Sequence, residues 1–208
     1  MTVERVERVE RVERVERVIL ASASQRRRAL LEQLGVELEV RPADIDESER
    51  PGEDPVAYVR RLSIAKAAVV SSGVVAPSVG GRLVIAADTT VDLDGRILGK
   101  PSDTAEAREM LRALSARTHR VHTGVTVCAG DVVATDVVTT FVTFTPITDS
   151  ALEWYLATGE PFDKAGAYAI QGAGGVFVAS VKGSVSNVVG LPLTTVVALA
   201  RSLGRELV

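Results

Sequence analysis

The sequence predicts an α/β or α+β protein built on one long mixed sheet with flanking helices. Three observations carry this. Strand-like and helix-like stretches follow one another without strict alternation, so a purely parallel βαβ order does not fit. The 208 residues, 46% hydrophobic and 25% charged, suffice for one large domain or two small lobes around a hydrophobic core. No interdomain linker and, past the first eighteen residues, no internal repeat divides the chain.

The chain opens on an oddity. Residues 3–18 read VERVERVERVERVERV, a perfect period of three. In a helix this period turns valine by about 60° per repeat and makes no single apolar face; in a strand the valines alternate sides. Glu4 with Arg8, Glu7 with Arg11, Glu10 with Arg14 and Glu13 with Arg17 have the order that favours a solvated helix. The expectation is an appendage over residues 1–17, an expanded or mis-started leader, with the working domain over 18–208.

Residues 18–21 read as a short buried strand. A helix follows over QRRRALLEQLG, capped by Ser22 or Ser24, with Leu30, Leu31 and Leu34 as its apolar stripe and Gly35 as its stop. VELEV alternates like a strand, and RPADIDESERPGED is an acidic, Pro/Gly-punctuated loop. Asp54 and Pro55 open a long helix with apolar spacing at Val56, Val59, Leu62 and Ala65. Residues 72–81 read as a loop, and 82–101 as a buried strand that turns at DLDG and returns. A helix capped by Ser102 or Asp103 comes next, then a strongly β stretch with a turn near Gly130 and Asp131. A helix capped by Thr148 or Asp149, a Gly-rich loop feeding a strand, and a closing helix complete the order.

Composition bounds the function. The net charge of −3 gives no global basic field, so nucleic acid is not an expected partner and any anion site must be local. A single cysteine, Cys128, excludes an intrachain disulfide and a cysteine-only metal site. With only His119 and His122, both read as structural or surface residues, a histidine zinc site would need carboxylate help. No apolar run reaches the roughly 18 residues of a membrane span, and no signal-peptide pattern opens the chain. The expected location is cytoplasmic.

Four polar clusters stand at element ends. In SASQRRR, small residues let the backbone approach an anion, the helix start supplies free N–H groups, and an arginine adds a planar fork for phosphate oxygens. Three solvated arginines are the competing reading, and the stretch lacks the glycines and the Lys-Ser/Thr end of a Walker loop. In IAADTT, Asp88 ends an apolar run, where a carboxylate can hold a divalent metal, take a proton from water, or merely make a turn. In DIDE, Asp44, Asp46 and Glu47 offer oxygens to a hard cation or form a solvated loop. Lys66, Lys100 and Lys164 are scattered cations, the last two in Gly/Pro-shaped loops and the first on a helix, where lysines usually face solvent. Trp154 and Tyr155 read as core or interface. Taken together, the clusters point to metal-assisted phosphoanhydride chemistry if they meet in space.

LASASQRRRALLEQLG, ADIDE, AADTTV with DGRILGKP, MLRALSARTHRVHTGV, GEPFDKAGAYAIQG and GSVSNVVGLPL follow in the order seen in the Maf family of nucleotide pyrophosphatases, which the chain resembles from about Val18 to Gly204. That resemblance implies an α/β fold like inosine triphosphate pyrophosphatase, with two lobes around a cleft, and cleavage of a nucleoside triphosphate to monophosphate and pyrophosphate with Mg²⁺ or Mn²⁺. By position Asp88 matches the family's proton acceptor. Arg26, Thr89 and Gln171 match positions tied to substrate selectivity. Ser22, Arg27, Glu47, Lys66, Lys100 and Lys164 match polar positions lining the cleft. The expected mechanism lays the triphosphate across the start of the Arg26 helix, neutralised by Arg26, Arg27, Lys66 and Lys100, with the metal on Glu47 and Asp88. DKAGAYAIQG resembles the branch acting on dTTP and UTP rather than the 7-methyl-GTP branch, and the Gln171 amide suits a uracil-type edge. The family also implies a homodimer, and its older name suggests a rival role as a non-enzymatic division regulator. One departure stands out: Gln25 replaces the usual proline before the paired arginines.

Overall fold

The computed structural model describes residues 13–15, 17–73 and 82–208. The first twelve residues of the repeat, Glu16, and most of the loop expected over 72–81 lie outside the described residues. Glu13–Arg14 (β1) pairs in parallel with Arg205–Glu206 near the C-terminus, and Val15 is buried in the core. The end of the repeat thus joins the fold as a strand, not a solvated helix.

The strand expected over 18–21 is Arg17–Leu20 (β2), followed by α1 (Gln25–Glu32) and β3 (Glu37–Val40). Ser24, rather than Ser22, caps α1 by accepting the Arg27 amide at 3.4 Å. Asp54 caps α2 (Pro55–Ser72), accepting the Val56 and Ala57 amides. The apolar stripe of α2 is rotated from the expected one. Val59, Leu62, Ser63, Lys66, Ala67 and Val70 are buried, whereas Val56 is exposed and Ala65 only partly covered. Lys66 therefore occupies a core-facing position of the helix.

β4 (Arg82–Leu93), the turn, and β5 (Arg96–Leu98) are as expected, as are α3 (Thr104–Leu114), capped by Asp103, and the hairpin of β6 (Thr118–Ala129) and β7 (Val132–Phe144). α4 (Asp149–Ala157) is capped by Thr148. The Gly-rich loop winds through three short 3₁₀ turns into β8 (Val178–Lys182). A five-residue helix, α5 (Val185–Val189), precedes the closing α6 (Leu193–Ser202) and β9 (Arg205–Glu206). α5 and the β1–β9 pair carry no periodic signal and escape sequence reading.

The sheet runs β3-β2-β4-β6-β7-β8, with β5 on β4. β2 lies parallel to β3 and β4, and the rest is antiparallel, so the sheet is mixed as predicted. β6 pairs with β4 from Val84 to Asp92 on one edge. On the other edge β2 covers only Arg82 to Ile85, and β5 only Val91 to Leu93. Residues 86–90 of β4 consequently have no strand beside them on that edge. This gap, just past the C-terminal end of β2, is where open α/β sheets bind ligands.

Alternation along β4 sends successive side chains to opposite faces. One face carries α2, with Ala67 and Val70 packed on Ile19, Val84 and Ala86. α2 crosses β6 so closely that a Cβ at Gly124 would overlap the Val59 carbonyl. The other face divides into two cores. One gathers α1 and α6 over Leu20, Ile85 and Val127; the second gathers α3 and α4 over Val91, Val121 and Phe144. These cores are the two lobes, and the gap in β4 opens between them.

Candidate active site

A cleft of about 530 Å³ fills this gap. All ten residues that the resemblance matched to site positions line it: Ser22, Arg26, Arg27, Glu47, Lys66, Asp88, Thr89, Lys100, Lys164 and Gln171. Five cationic side chains face three carboxylates there, so the cleft is net positive within a chain of net charge −3. That local excess is what a polyphosphate site requires.

Asp88 and Thr89 are neighbours on β4 and point to opposite faces. On the α2 side, Lys66 sits between two carboxylates, its Nζ 2.7 Å from Asp88 Oδ1 and 2.7 Å from Glu47 Oε1. Lys66 and Asp88 are both buried. The second oxygen of each carboxylate makes no hydrogen bond among the described residues. Burial raises the Glu47 carboxyl, but the hydrogen bond and charge of Lys66, helped by Lys100 and Arg27, outweigh it and hold the group below its ordinary value. The Glu47 loop is clamped from α2. Tyr58 donates its hydroxyl to the Glu47 carbonyl at 2.9 Å, and Arg61 donates to the Ser48 carbonyl at 3.0 Å. Burial, then the charges of Asp88 and Glu47, push the Tyr58 hydroxyl up to about 12.

On the opposite side all three nitrogens of the Arg27 guanidinium are hydrogen-bonded. Its Nε donates to the Gly190 carbonyl at 2.8 Å, Nη1 to Ser22 Oγ at 3.0 Å and Nη2 to Thr89 Oγ1 at 3.0 Å. Burial lowers its guanidinium from the usual range, against the pull of Asp88. Thr89 continues into a polar seam: its hydroxyl meets that of Thr123 at 2.9 Å, and Thr123 donates to the Asn187 carbonyl at 3.0 Å. Asn187 is buried and donates in turn to the Val121 carbonyl. Arg27 thus ties three distant segments together at the cleft floor.

The remaining cations of the cleft lie nearer its mouth and the Gly-rich loop. Arg26 is a third exposed and lies 3.5 Å from Asp163 of the Gly-rich loop. Asp163 also pairs with Lys164, whose Nζ donates to the Glu160 carbonyl at 2.9 Å. Lys100 and Gln171 present exposed heads to the cleft. Arg28 pairs with Glu32 on the solvent side of α1, outside the cleft.

Several sequence expectations change here. Asp44 and Asp46 do not reach the cleft; Asp46 accepts the Ser48 amide in a local turn instead. Lys66 and Arg27, expected to neutralise phosphate, are already bound to protein groups, leaving Arg26 and Lys100 as the exposed cations. Both histidines are structural: His119 Nε2 meets Tyr168 Oη at 2.8 Å, and His122 bridges Asp92 and Thr139. Tyr155 is core, and Trp154 is half exposed. Sequence reading missed Tyr58, Asp163 and Tyr168, which also line the cleft. Asp163 and Tyr168 lie in the DKAGAYAIQG neighbourhood, but nothing local marks Tyr58, two turns before Lys66.

A family model described as Maf-like protein matches residues 17–203. The chain belongs to the Maf family. Among Maf relatives, a protein of Anaeromyxobacter sp. (strain Fw109-5) named dTTP/UTP pyrophosphatase is 54% identical over 195 residues, covering 91% of each chain. A protein of the same name from Myxococcus xanthus (strain DK1622) is 53% identical over 190 residues, 91% of this chain and 94% of its own. Among solved structures, the Staphylococcus aureus Ham1 protein is similar over 64% of this Maf chain and 72% of that one, with a TM-score of 0.42 and 17% identity. No helix among the described residues is long and apolar enough to cross a membrane.

Proposed function

We propose that this Maf protein hydrolyses nucleoside triphosphates, dTTP and UTP foremost, to the monophosphate and pyrophosphate. The observation that carries the reading is the meeting of Asp88, Glu47 and five cations in the one gap of β4, beside the start of α1. The relatives' shared name, dTTP/UTP pyrophosphatase, supports the choice of substrate. These nucleotides belong to the cytoplasmic pool, so the activity would be a house-cleaning step there.

The phosphate chain would lie against Arg26 and Lys100, with the free N–H groups of α1 beneath it. Arg27 holds the cleft floor through Ser22, Thr89 and Gly190 while its charge adds to the local field. Asp88 takes the proton of the attacking water, and Lys66 keeps the carboxylate aimed. Gln171 offers one donor and one acceptor to the O4 and N3–H edge of thymine or uracil.

Glu47 and Asp88 would hold a Mg²⁺ or Mn²⁺ ion. The donor set fits: two hard carboxylates, each with an oxygen unused by the protein, with the remaining positions left to phosphate and water. When bound, such an ion supplies Lewis-acid polarisation of the phosphoryl oxygens and of water.

The test is pyrophosphate release by the full chain from standard and modified triphosphates in the presence of Mg²⁺. Fastest release from dTTP and UTP is expected. Faster release from a purine or modified nucleotide would move the substrate assignment to that nucleotide. No release from any nucleotide would overturn the enzyme reading in favour of a division regulator acting by partner binding.

A further inference from the structure

Behind the cleft, and not lining it, lies a carboxylate that the reaction does not use. Glu160 starts the first 3₁₀ turn of the Gly-rich loop. Its Oε1 accepts the Gly174 amide at 2.9 Å and the Tyr155 hydroxyl at 2.8 Å, and its Oε2 accepts the Ala173 amide at 2.8 Å. Tyr155 is fully buried on α4, so this anchor reaches into the core. The loop is shaped around the carboxylate: a Cβ at Gly172 would overlap Glu160 Oε2, and one at Gly174 would come within 2.7 Å of the Tyr155 hydroxyl. The two loop amides lie two and three residues after Gln171. At the other end of the same residue, the Glu160 carbonyl receives Lys164 Nζ at 2.9 Å.

We propose that Glu160 is a positioning residue for substrate selection. Its carboxylate fixes the segment carrying Gln171 while its carbonyl fixes Lys164, so the base-facing and phosphate-facing groups of the loop are set as one unit. The inference rests on reading the cleft as a dTTP/UTP site. A carboxylate accepting two loop amides and a phenol satisfies donors that would otherwise be stranded at the start of the Ala173–Phe177 turn. Its ionised form is favoured for the same reason: burial pushes its titration up, and the Gly174 amide, the Tyr155 hydroxyl and the Ala173 amide outweigh that. Selection by Gln171 needs its amide held in one place, because a mobile donor–acceptor pair also fits the wrong edge.

Three variants separate positioning from bulk structure. Glu160→Gln keeps the shape but turns an NH₂ toward a loop N–H. Ala173→Pro deletes one of the two amides and puts its ring Cδ where that N–H met Glu160 Oε2 at 2.8 Å, so the carboxylate is displaced as well. Tyr155→Phe removes the core donor and leaves both loop amides bonded. Binding of the α,β-imido analogues of dTTP and dGTP is measured by calorimetry, with amide hydrogen exchange over residues 164–177. The preference for the dTTP analogue should fall about tenfold in Glu160→Gln, the size of one lost charge-assisted hydrogen bond, and by at least as much in Ala173→Pro. The Gly174 amide should exchange faster in both. Tyr155→Phe should lower the melting temperature and leave the preference unchanged. An unchanged preference in both loop variants, or unchanged exchange in Glu160→Gln, overturns the proposal. Absent pyrophosphate release by the unaltered protein overturns the proposed function instead, since the binding comparison does not depend on turnover.

Discussion

Asp88 and Lys66 form a pair whose two members are not equally replaceable. Asp88→Asn keeps the size of the side chain and leaves Lys66 with a second carboxylate, Glu47, at 2.7 Å. The ammonium is therefore not stranded, and the fold should survive, with far-UV circular dichroism and the melting profile close to those of the parent. Turnover should fall by about 10²-fold or more, because the amide cannot take a proton from water. Pyrophosphate release within a few-fold of the parent would remove Asp88 from the role of base. Asp88 was only partly legible in the sequence: a carboxylate after an apolar run fits a turn as well as a site, and in the structure the residue lies mid-strand, in the gap along the edge of β4. Lys66 was legible only through family resemblance, since its burial depends on which face of α2 meets the sheet. The locked state of Arg27 was not legible: beyond the nearby Ser22, its partners Thr89 and Gly190 come from distant segments that only the folded chain brings to it.

At the scale of elements, long periodic stretches and capping residues were readable, so every helix of eight or more residues has its expected counterpart. What escaped was packing, and α2 shows why. Its stripe could be drawn through Val56 and Ala65 or through Ser63 and Lys66, and the fold decides it where Val59 lies against Gly124 and Ser63 bonds Thr126 on β6. Gly124→Ala should push the helix off the sheet, costing about 1–3 kcal/mol by overpacking, and should lower activity because Lys66 and Tyr58 travel with α2. Urea midpoint and pyrophosphate release should fall together; a stable, fully active variant would show that the crossing does not set the site. α1 gives the opposite case. Gln25 is its first residue, its amide has no partner among the described residues, and Ser24 before it is extended, at φ −66° and ψ 115°. Proline suits that position, so Gln25→Pro should raise stability by about 0.4–1 kcal/mol through the unfolded chain. A lower melting temperature would mean that the Gln25 amide is needed.

At the scale of the molecule, the mixed sheet was readable but its order was not. Strand patterns do not say that β2 and β5 share one edge of β4 and leave a gap between them, and that gap makes the cleft. The two cores beside it also explain how the protein should respond to acid. His119 lies in the second core, edge-on to Phe144 and Tyr168, and burial pushes its titration down to about 4. In the unfolded chain it titrates near the ordinary value of about 6.5. Between these values the unfolded chain holds a proton that the folded one rejects, so stability falls as the pH drops from about 6.5 toward 4 and is indifferent to His119 above that range. The gap corresponds to about 3 kcal/mol at its acid end. Glu47 and Asp92 act lower: both are held below the ordinary carboxylate value, so the stability they contribute is present above about pH 4.3 and is lost only below it. The interval from pH 6.5 to 4.5 therefore separates His119 from these two carboxylates. His119→Gln, whose amide can still hydrogen-bond Tyr168 Oη, should flatten the urea midpoint across that interval while both proteins weaken below it. Equal slopes in parent and variant would show that the second core admits the proton, and that acid sensitivity arises elsewhere in the sheet.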